Sequence, residues 1–325
     1  MIGRRQILAA SVGLLVAPLT AIAQGPARAY RIGVLFDLIP SDPFLAFERR
    51  LAELGYVPGT NLVFEYRRAE GHAERLPALA AELAQLKPDL IVSGGGPDPA
   101  RALKRATTTV PVVFGAVEWD PIAMGIVVSL GRPGENFTGL AFPVTELAIK
   151  RLGLLREALP RATRVAVLWQ RTREEAQLKA VQEAAGSVKI QVISLEVRNI
   201  PGDLDEAVRV AVQRRAEALL VLSSPTFYPE RKRLAELALK HRLPTSFQRS
   251  AYADAGGLMA FGAEIDGMWR RMAEYADRIL KGAKPGDLPI EQPAKFELVV
   301  NLKTARALGL TFPPALLARA DRLIE

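Results

Sequence analysis

The sequence predicts an α/β protein built from two doubly wound parallel-sheet lobes joined by hinge crossovers. Three observations carry that expectation. Short β-branched or apolar runs alternate with longer stretches of 3.6-residue periodicity, the alternation restarts after Pro160, and the chain beyond Met268 breaks the rhythm. Alternating strands and helices imply parallel sheets covered by helices on both faces, and two such halves imply two similar lobes.

Arg31–Phe36 reads as a first strand, and Phe44–Leu54 as a helix closed by Gly55, a residue that takes the left-handed cap conformation cheaply. Asn61–Tyr66 is a second strand; Leu76, Leu79, Ala80, Leu83 and Leu86 mark one face of a helix that ends before Pro88. Leu90–Val92 is a third strand, Pro97 opens a helix that runs to Thr107, and Val110–Phe114 is a fourth strand. After Pro160 come strands at Val165–Leu168, Ile190–Leu195 and Ala218–Leu222, helices at Glu174–Ala185, Leu204–Arg215 and Tyr228–His241, and a late strand at Leu258–Phe261. Met268, Met272, Tyr275 and Ile279 then form the apolar face of a long helix stopped at Lys281-Gly282. A proline-rich strip leads to a strand at Phe296–Asn301, a short helix ends at Gly309, and Pro313-Pro314 opens a last one. This tail suits a chain that returns to the first lobe and crosses again, which predicts several hinge strands.

The ends and composition bound the function. Arg4-Arg5 precede an apolar run from Ile7 to Ile22, and Ala21-Ile22-Ala23 has the small-x-small pattern of a signal-peptidase site, so residues 1–23 read as a leader cleaved after Ala23, followed by a linker at 24–29. The run falls short of the ~20 strongly apolar residues of a membrane anchor. Arg4-Arg5-Gln6-Ile7-Leu8 also resembles a twin-arginine export signal, a pattern that an ordinary positive leader produces too. The absence of cysteine excludes disulfides, thiolate metal sites, cysteine nucleophiles and a lipidated leader cysteine. Net charge is +8, about +6 without Arg4 and Arg5. The basic residues are scattered among Glu on helix faces (Arg231, Lys232, Arg233, Glu236) with no aromatic-interleaved stripe, which argues against nucleic-acid binding. With roughly 300 residues after the leader, two domains are the natural expectation.

In an open parallel sheet, ligands bind beyond the carboxyl ends of the strands. The candidate positions are Phe36-Asp37, Ser93-Gly94-Gly95-Gly96 and Glu118-Trp119-Asp120 in the first half, and Trp169-Gln170, Ser223-Ser224 and Phe247-Gln248 in the second. The three glycines let backbone N–H groups approach a ligand where a helix dipole favours an anion, a role that competes with a plain tight turn. Phe36, Trp119, Trp169 and Phe247 are rings that either cover an apolar ligand body or simply pack. Asp37 and Asp120 suit an amino group, and Asp120, before Pro121, suits a helix cap equally.

For an enzyme the inventory is poor. The two histidines, His72 and His241, lie away from every strand end, and no HxH, HExxH, GxSxG, GxGxxG or phosphate-loop pattern occurs. No cofactor and no metal are expected.

Several motifs carry a resemblance. Asp120-Pro121, Ser129–Leu140 (SLGRPGENFTGL), Gly256–Gly262 (GGLMAFG) and the tail from Lys281–Pro293 (KGAKPGDLPIEQP) to Asn301–Ala305 (NLKTA) resemble the ABC-transporter substrate-binding proteins related to the tryptophan-binding lipoproteins, over essentially the whole chain after the leader. The resemblance implies a type I periplasmic-binding fold with three crossovers, a small carboxylate-bearing solute (an amino acid or an aromatic acid) held between lobes, and a membrane permease with its ATPase as partner. The lobes are expected at 30–140 plus 264–290 and 141–263 plus 291–325, in a soluble periplasmic monomer. Phe36, Asp37, Ser93, Gly94, Gly95, Trp119 and Asp120 would face Trp169, Ser223, Ser224, Phe247 and Gln248 across the cleft. The chain departs from the relatives at Gly96, where a threonine is usual, and in the bulk of Glu118-Trp119. A periplasmic sensor feeding a receptor, or an exported α/β enzyme, would share this pattern.

Overall fold

A computed structural model describes residues 29–37, 44–94, 96–117, 119–171 and 174–325. The expected leader and all but the last residue of the linker lie outside the described residues. The chain forms two sheets. The first is built from β1 (Tyr30–Phe36), β2 (Leu62–Arg68), β3 (Leu90–Gly94), β4 (Val112–Val117) and β5 (Phe137–Ala141), all parallel, in the order β2-β1-β3-β4-β5. Between them run α1 (Phe44–Glu53), α2 (Leu76–Gln85) and α3 (Pro97–Ala106). Strands β1 and β3 are buried on both faces and read as continuous apolar runs, as a helix-covered parallel sheet requires.

The chain then passes into α4 (Val144–Ala158) and a second sheet of β6 (Arg164–Gln170), β7 (Gln191–Val197), β8 (Ala218–Val221), β9 (Thr245–Phe247), β10 (Met259–Ala263), β11 (Phe296–Asn301) and β12 (Arg322–Ile324). Its order is β12-β11-β10-β9-β8-β6-β7. The remaining helices are α5 (Glu175–Ala185), α6 (Leu204–Gln213), α7 (Arg231–Lys240), α8 (Ser250–Asp254), α9 (Ile265–Leu280), α10 (Leu302–Leu308) and α11 (Pro314–Leu317).

Helix α9 follows β10 of the second sheet, yet it packs on α1 and β4 of the first. The expected apolar face, Met268, Met272, Tyr275 and Ile279, is buried, joined by Trp269, Ala273 and Ala276. Gly115 on β4 makes this seat: a Cβ there would lie 1.5 Å from Met272 Sδ. Three segments therefore pass between the sheets: after β5, after β10, and on the way to β11. They are bonded to one another, since Ala141 N–H donates to Glu291 O, Glu291 N–H to Gly139 O, and Glu264 N–H to Lys295 O.

One hydrophobic cluster runs from the α1/α9 face of the first sheet to the α4/α5 face of the second. The outer faces carry separate clusters, under α2 and α3 in one lobe and under α6, α7 and α8 in the other.

Some elements differ from expectation. Strand β11 is antiparallel to β10, because the segment leading into it starts at the hinge end where β10 finishes. Strand β5 is absent from the expected elements because it runs through Gly139, a weak strand former that the fold requires there, since a Cβ would lie 2.0 Å from the Phe114 carbonyl oxygen. Strands β9 and β12 have three residues each and α8 has five, too few for periodicity to register. Helix α4 buries Leu147, Ala148, Arg151, Leu152, Leu154 and Leu155, so it lacks a clean polar face. The last helix, α11, is a single turn of four residues, after which the chain adds β12.

Candidate functional site

The C-terminal edges of both sheets, from which the first two crossing segments leave, collect the polar groups. In the first lobe Phe36 ends β1; its ring stacks on Trp269 with centroids 6.0 Å apart and meets Phe44 edge-on at 5.3 Å. A Cβ on Gly94 would lie 2.5 Å from Phe36 Cε1, so glycine is needed there to admit the ring. Asp37 follows, 4% exposed, its carbonyl accepting the Gly71 N–H at 2.9 Å. Ser93, 1% exposed, lies between Leu35 and Phe114 in the sheet. Gly96 stands before α3 at φ 124°, a conformation that suits glycine, and Pro97 opens the helix. Gly95 and Glu118 lie outside the described residues.

Several expected site residues have partners within their own lobe. Trp119 is buried against Phe114, rings 5.4 Å apart, in the cluster under α2 and α3. Asp120 is exposed and accepts the Ile122 and Ala123 N–H groups at 2.8 and 3.1 Å; its carboxylate caps the following turn. In the second lobe Trp169 is buried and donates from Nε1 to Ser194 Oγ at 2.8 Å. Phe247, fully buried, stacks on Tyr252 at 4.5 Å. Thus the four rings expected as ligand walls are each packed within a lobe, because their large apolar area is worth about 1.5–3 kcal/mol per ring when buried.

The polar candidates form a tighter constellation. Gln170 N–H donates to Glu174 Oε2 at 2.6 Å, and Gln170 Oε1 accepts from Thr226 Oγ1 at 2.9 Å. Ser224 Oγ accepts the Thr226 N–H at 3.4 Å, capping the turn at 225–227. Ser223 is held by Gln177 and Arg151, neither of them singled out by sequence. Gln248 donates to Tyr252 Oη at 3.2 Å. Arg151 is fully buried; its signal in the sequence is the charged residue within the apolar stripe Leu147, Ala148, Leu152, Leu155.

Among the described residues, five buried polar side-chain atoms outside the Asp37 and Arg151 side chains have no hydrogen-bond partner. Ser93 Oγ, Trp119 Nε1, Ser246 Oγ and Gln248 Oε1 lie at or near the C-terminal strand ends of both sheets; Asn136 Oδ1 lies at the start of β5. Each such group costs about 1–3 kcal/mol until a partner arrives.

Where the chain crosses between sheets, Arg271 grips Glu291 through Nε and Nη2, both at 2.7 Å, and reaches Glu274 at 2.6 Å. The Arg271 bond holds the Glu291 carboxyl below its ordinary range, and the Glu291 bond raises the Arg271 guanidinium. Tyr275 donates to Pro289 O at 2.7 Å, tying α9 to the same crossing. Among the described residues no group of three or more His, Asp or Glu is arranged to hold a metal, and no helix is long and apolar enough to cross a membrane.

A family model for ABC transporter substrate binding proteins matches residues 46–324. The chain belongs to this family. The chain is 23% identical over 267 residues to a tyrosine-binding protein of Clostridioides difficile, covering 81% of this chain and 75% of that one. Among solved structures, a conserved domain protein of Vibrio cholerae superposes with a TM-score of 0.82 at 25% identity, over 91% of this chain and 100% of that one. An ABC domain from Streptococcus pneumonia, solved in complex with L-Trp, gives 0.78 at 23% identity, over 90% and 100%. The likeness extends over both sheets of this substrate-binding protein, which shares the type I periplasmic-binding fold of these neighbours.

Proposed function

We propose that this protein is the exported solute receptor of an ABC importer, that it takes an amino acid with an aromatic side chain between its lobes, and that it catalyses no reaction. The observation that carries the reading is the gathering of buried, unpartnered polar atoms at the C-terminal strand ends of both sheets. The tyrosine-binding relative and the L-Trp complex support the choice of solute class. Ser93, Gly94 and Gly95 would meet the solute from the first lobe, with Asp37 beside them; Ser223 and Gln248 would meet it from the second.

Contacts from both lobes exist together only when the lobes are closed, so solute shifts an open–closed equilibrium by its difference in affinity for the two states. A permease and its ATPase then read the closed form. The leader would be removed after Ala23 and the receptor released as a monomer into the periplasm.

Thermal melts of protein unfolded and refolded to remove carried-over solute test the reading. A hundredfold excess of ligand over its dissociation constant stabilises by about 2.7 kcal/mol. An upward shift with L-tyrosine or L-tryptophan, and none with nucleosides, is expected. Cooperative melting that no amino acid moves would refute the proposed solute.

A further inference from the structure

We infer that Arg151 and Gln177 prepare Ser223 as a hydroxyl donor to an anionic oxygen of the solute, which makes this corner of the second lobe a carboxylate reader. The inference rests on the reading that the strand ends hold the solute, and deepens it.

The hydrogen bonds of Ser223, two residues beyond β8, assign its hydroxyl proton. Gln177, from the first turn of α5, uses both ends of its amide on one residue: Oε1 accepts the Ser223 N–H at 3.1 Å and Nε2 donates to the Ser223 carbonyl at 2.9 Å. The Ser223 backbone is thereby fixed and fully spent. Arg151 Nη1 donates to Ser223 Oγ at 3.2 Å. A guanidinium only donates, so Ser223 Oγ accepts here, and its own proton is left to give. Among the described residues no acceptor takes it.

Ser224, one residue on, is the opposite case. Thr226 Oγ1 gives its proton to Gln170 Oε1 at 2.9 Å, so the 2.7 Å contact between the Ser224 and Thr226 hydroxyls must be donated by Ser224. That proton is spent on the turn. Ser223 thus presents a donor and Ser224 does not, although the two are neighbours of the same type.

The charge beside Ser223 sets its preference. Arg151, Gln177 and Ser223 are 0%, 2% and 2% exposed. An arginine remains protonated when buried, and its field is weakly screened away from water, so an anionic oxygen is favoured at the hydroxyl over a neutral one. Arg151 acts through Ser223 and is a positioning residue.

The test is calorimetric titration of the full refolded protein with matched acids and amides: L-tyrosine and L-tyrosinamide, L-tryptophan and L-tryptophanamide, L-leucine and L-leucinamide, benzoate and benzamide. The acid is expected to bind and the amide to bind at least about 10-fold more weakly. Ser223→Ala should weaken the acid about 10- to 100-fold, the worth of a hydrogen bond to a charged group, and bring the acid-to-amide ratio toward one. Ser224→Ala should keep the affinity within about twofold while lowering the melting temperature. Arg151→Met should lose the discrimination and Arg151→Lys should recover part of it; if Arg151→Met does not fold, Ser223→Ala decides alone. Acid binding unchanged in Ser223→Ala, or an amide bound as tightly as its acid, overturns the inference even when L-tyrosine binds. If only L-leucine or benzoate binds and Ser223→Ala abolishes it, the aromatic amino acid reading falls and the inference stands. Binding of no acid at all overturns both.

Discussion

Replacing Gly115 by alanine should destabilise the protein, and replacing Met272 as well should recover part of the loss. The added Cβ at Gly115 would lie 1.5 Å from Met272 Sδ and 2.2 Å from its Cε, inside any tolerable contact, so α9 must lift or Met272 must leave its rotamer. Overpacking of this kind costs about 1–3 kcal/mol. Met272 is fully buried, and Met272→Ala alone should cost about 2–5 kcal/mol through lost burial and the space left behind. In the double variant the new methyl occupies part of that space without a clash. The sum of the single effects should therefore exceed the double effect by about 1–3 kcal/mol, the overpacking cost that the double variant avoids. Urea unfolding followed by circular dichroism measures all three variants against the parent, with midpoints compared at common slope. Strict additivity within about 0.5 kcal/mol would mean that α9 does not sit on β4 through this pair, and the account of how the chain returns to the first lobe would be refuted.

Two further outcomes are expected. Arg271 holds the Glu291 carboxyl below its ordinary value of 4.5, so the stabilisation from this pair is present above about pH 4.5 and lost as pH falls through the lower folded value. Glu291→Gln should accordingly cost about 1 kcal/mol or less at neutral pH, the pair being part-exposed, and its deficit against the parent should shrink in acid; a deficit constant with pH would contradict the pair. Trp169→Phe should cost about 1 kcal/mol by leaving Ser194 Oγ without its donor, with solute affinity unchanged because the ring packs inside the lobe. A large loss of affinity with intact folding would place Trp169 on the binding surface.

The candidate site was legible in the sequence as a set of positions and much less as a set of roles. Strand ends followed by Gly, Ser or Asp marked where polar groups would gather, and Ser93, Gly94, Ser223 and Gln248 lie at those ends. The roles of Trp119, Asp120, Trp169, Phe247 and Ser224 could not be read the same way. A ring at a strand end is consistent with solvent, ligand or core, and Asp120 with a cap or an amine; the choice depends on which neighbours fold back, such as Phe114 onto Trp119 and Tyr252 onto Phe247. Arg151 and Gln177 came from helices whose local pattern says nothing about Ser223, which lies 72 and 46 residues away.

Local periodicity by itself determined the two α/β halves, the sites of most strands and long helices, and the buried face of α9. These are properties of residues three or four apart, or of short apolar runs, and they need no distant partner. The tertiary structure alone decided that α9 leaves the second sheet to pack on the first, that β11 runs against β10, and that the three crossing segments bond to one another at Gly139, Ala141, Glu264, Glu291 and Lys295. Each of those depends on contacts between residues far apart in the chain, where a missing Cβ at Gly115 counts for more than any local preference.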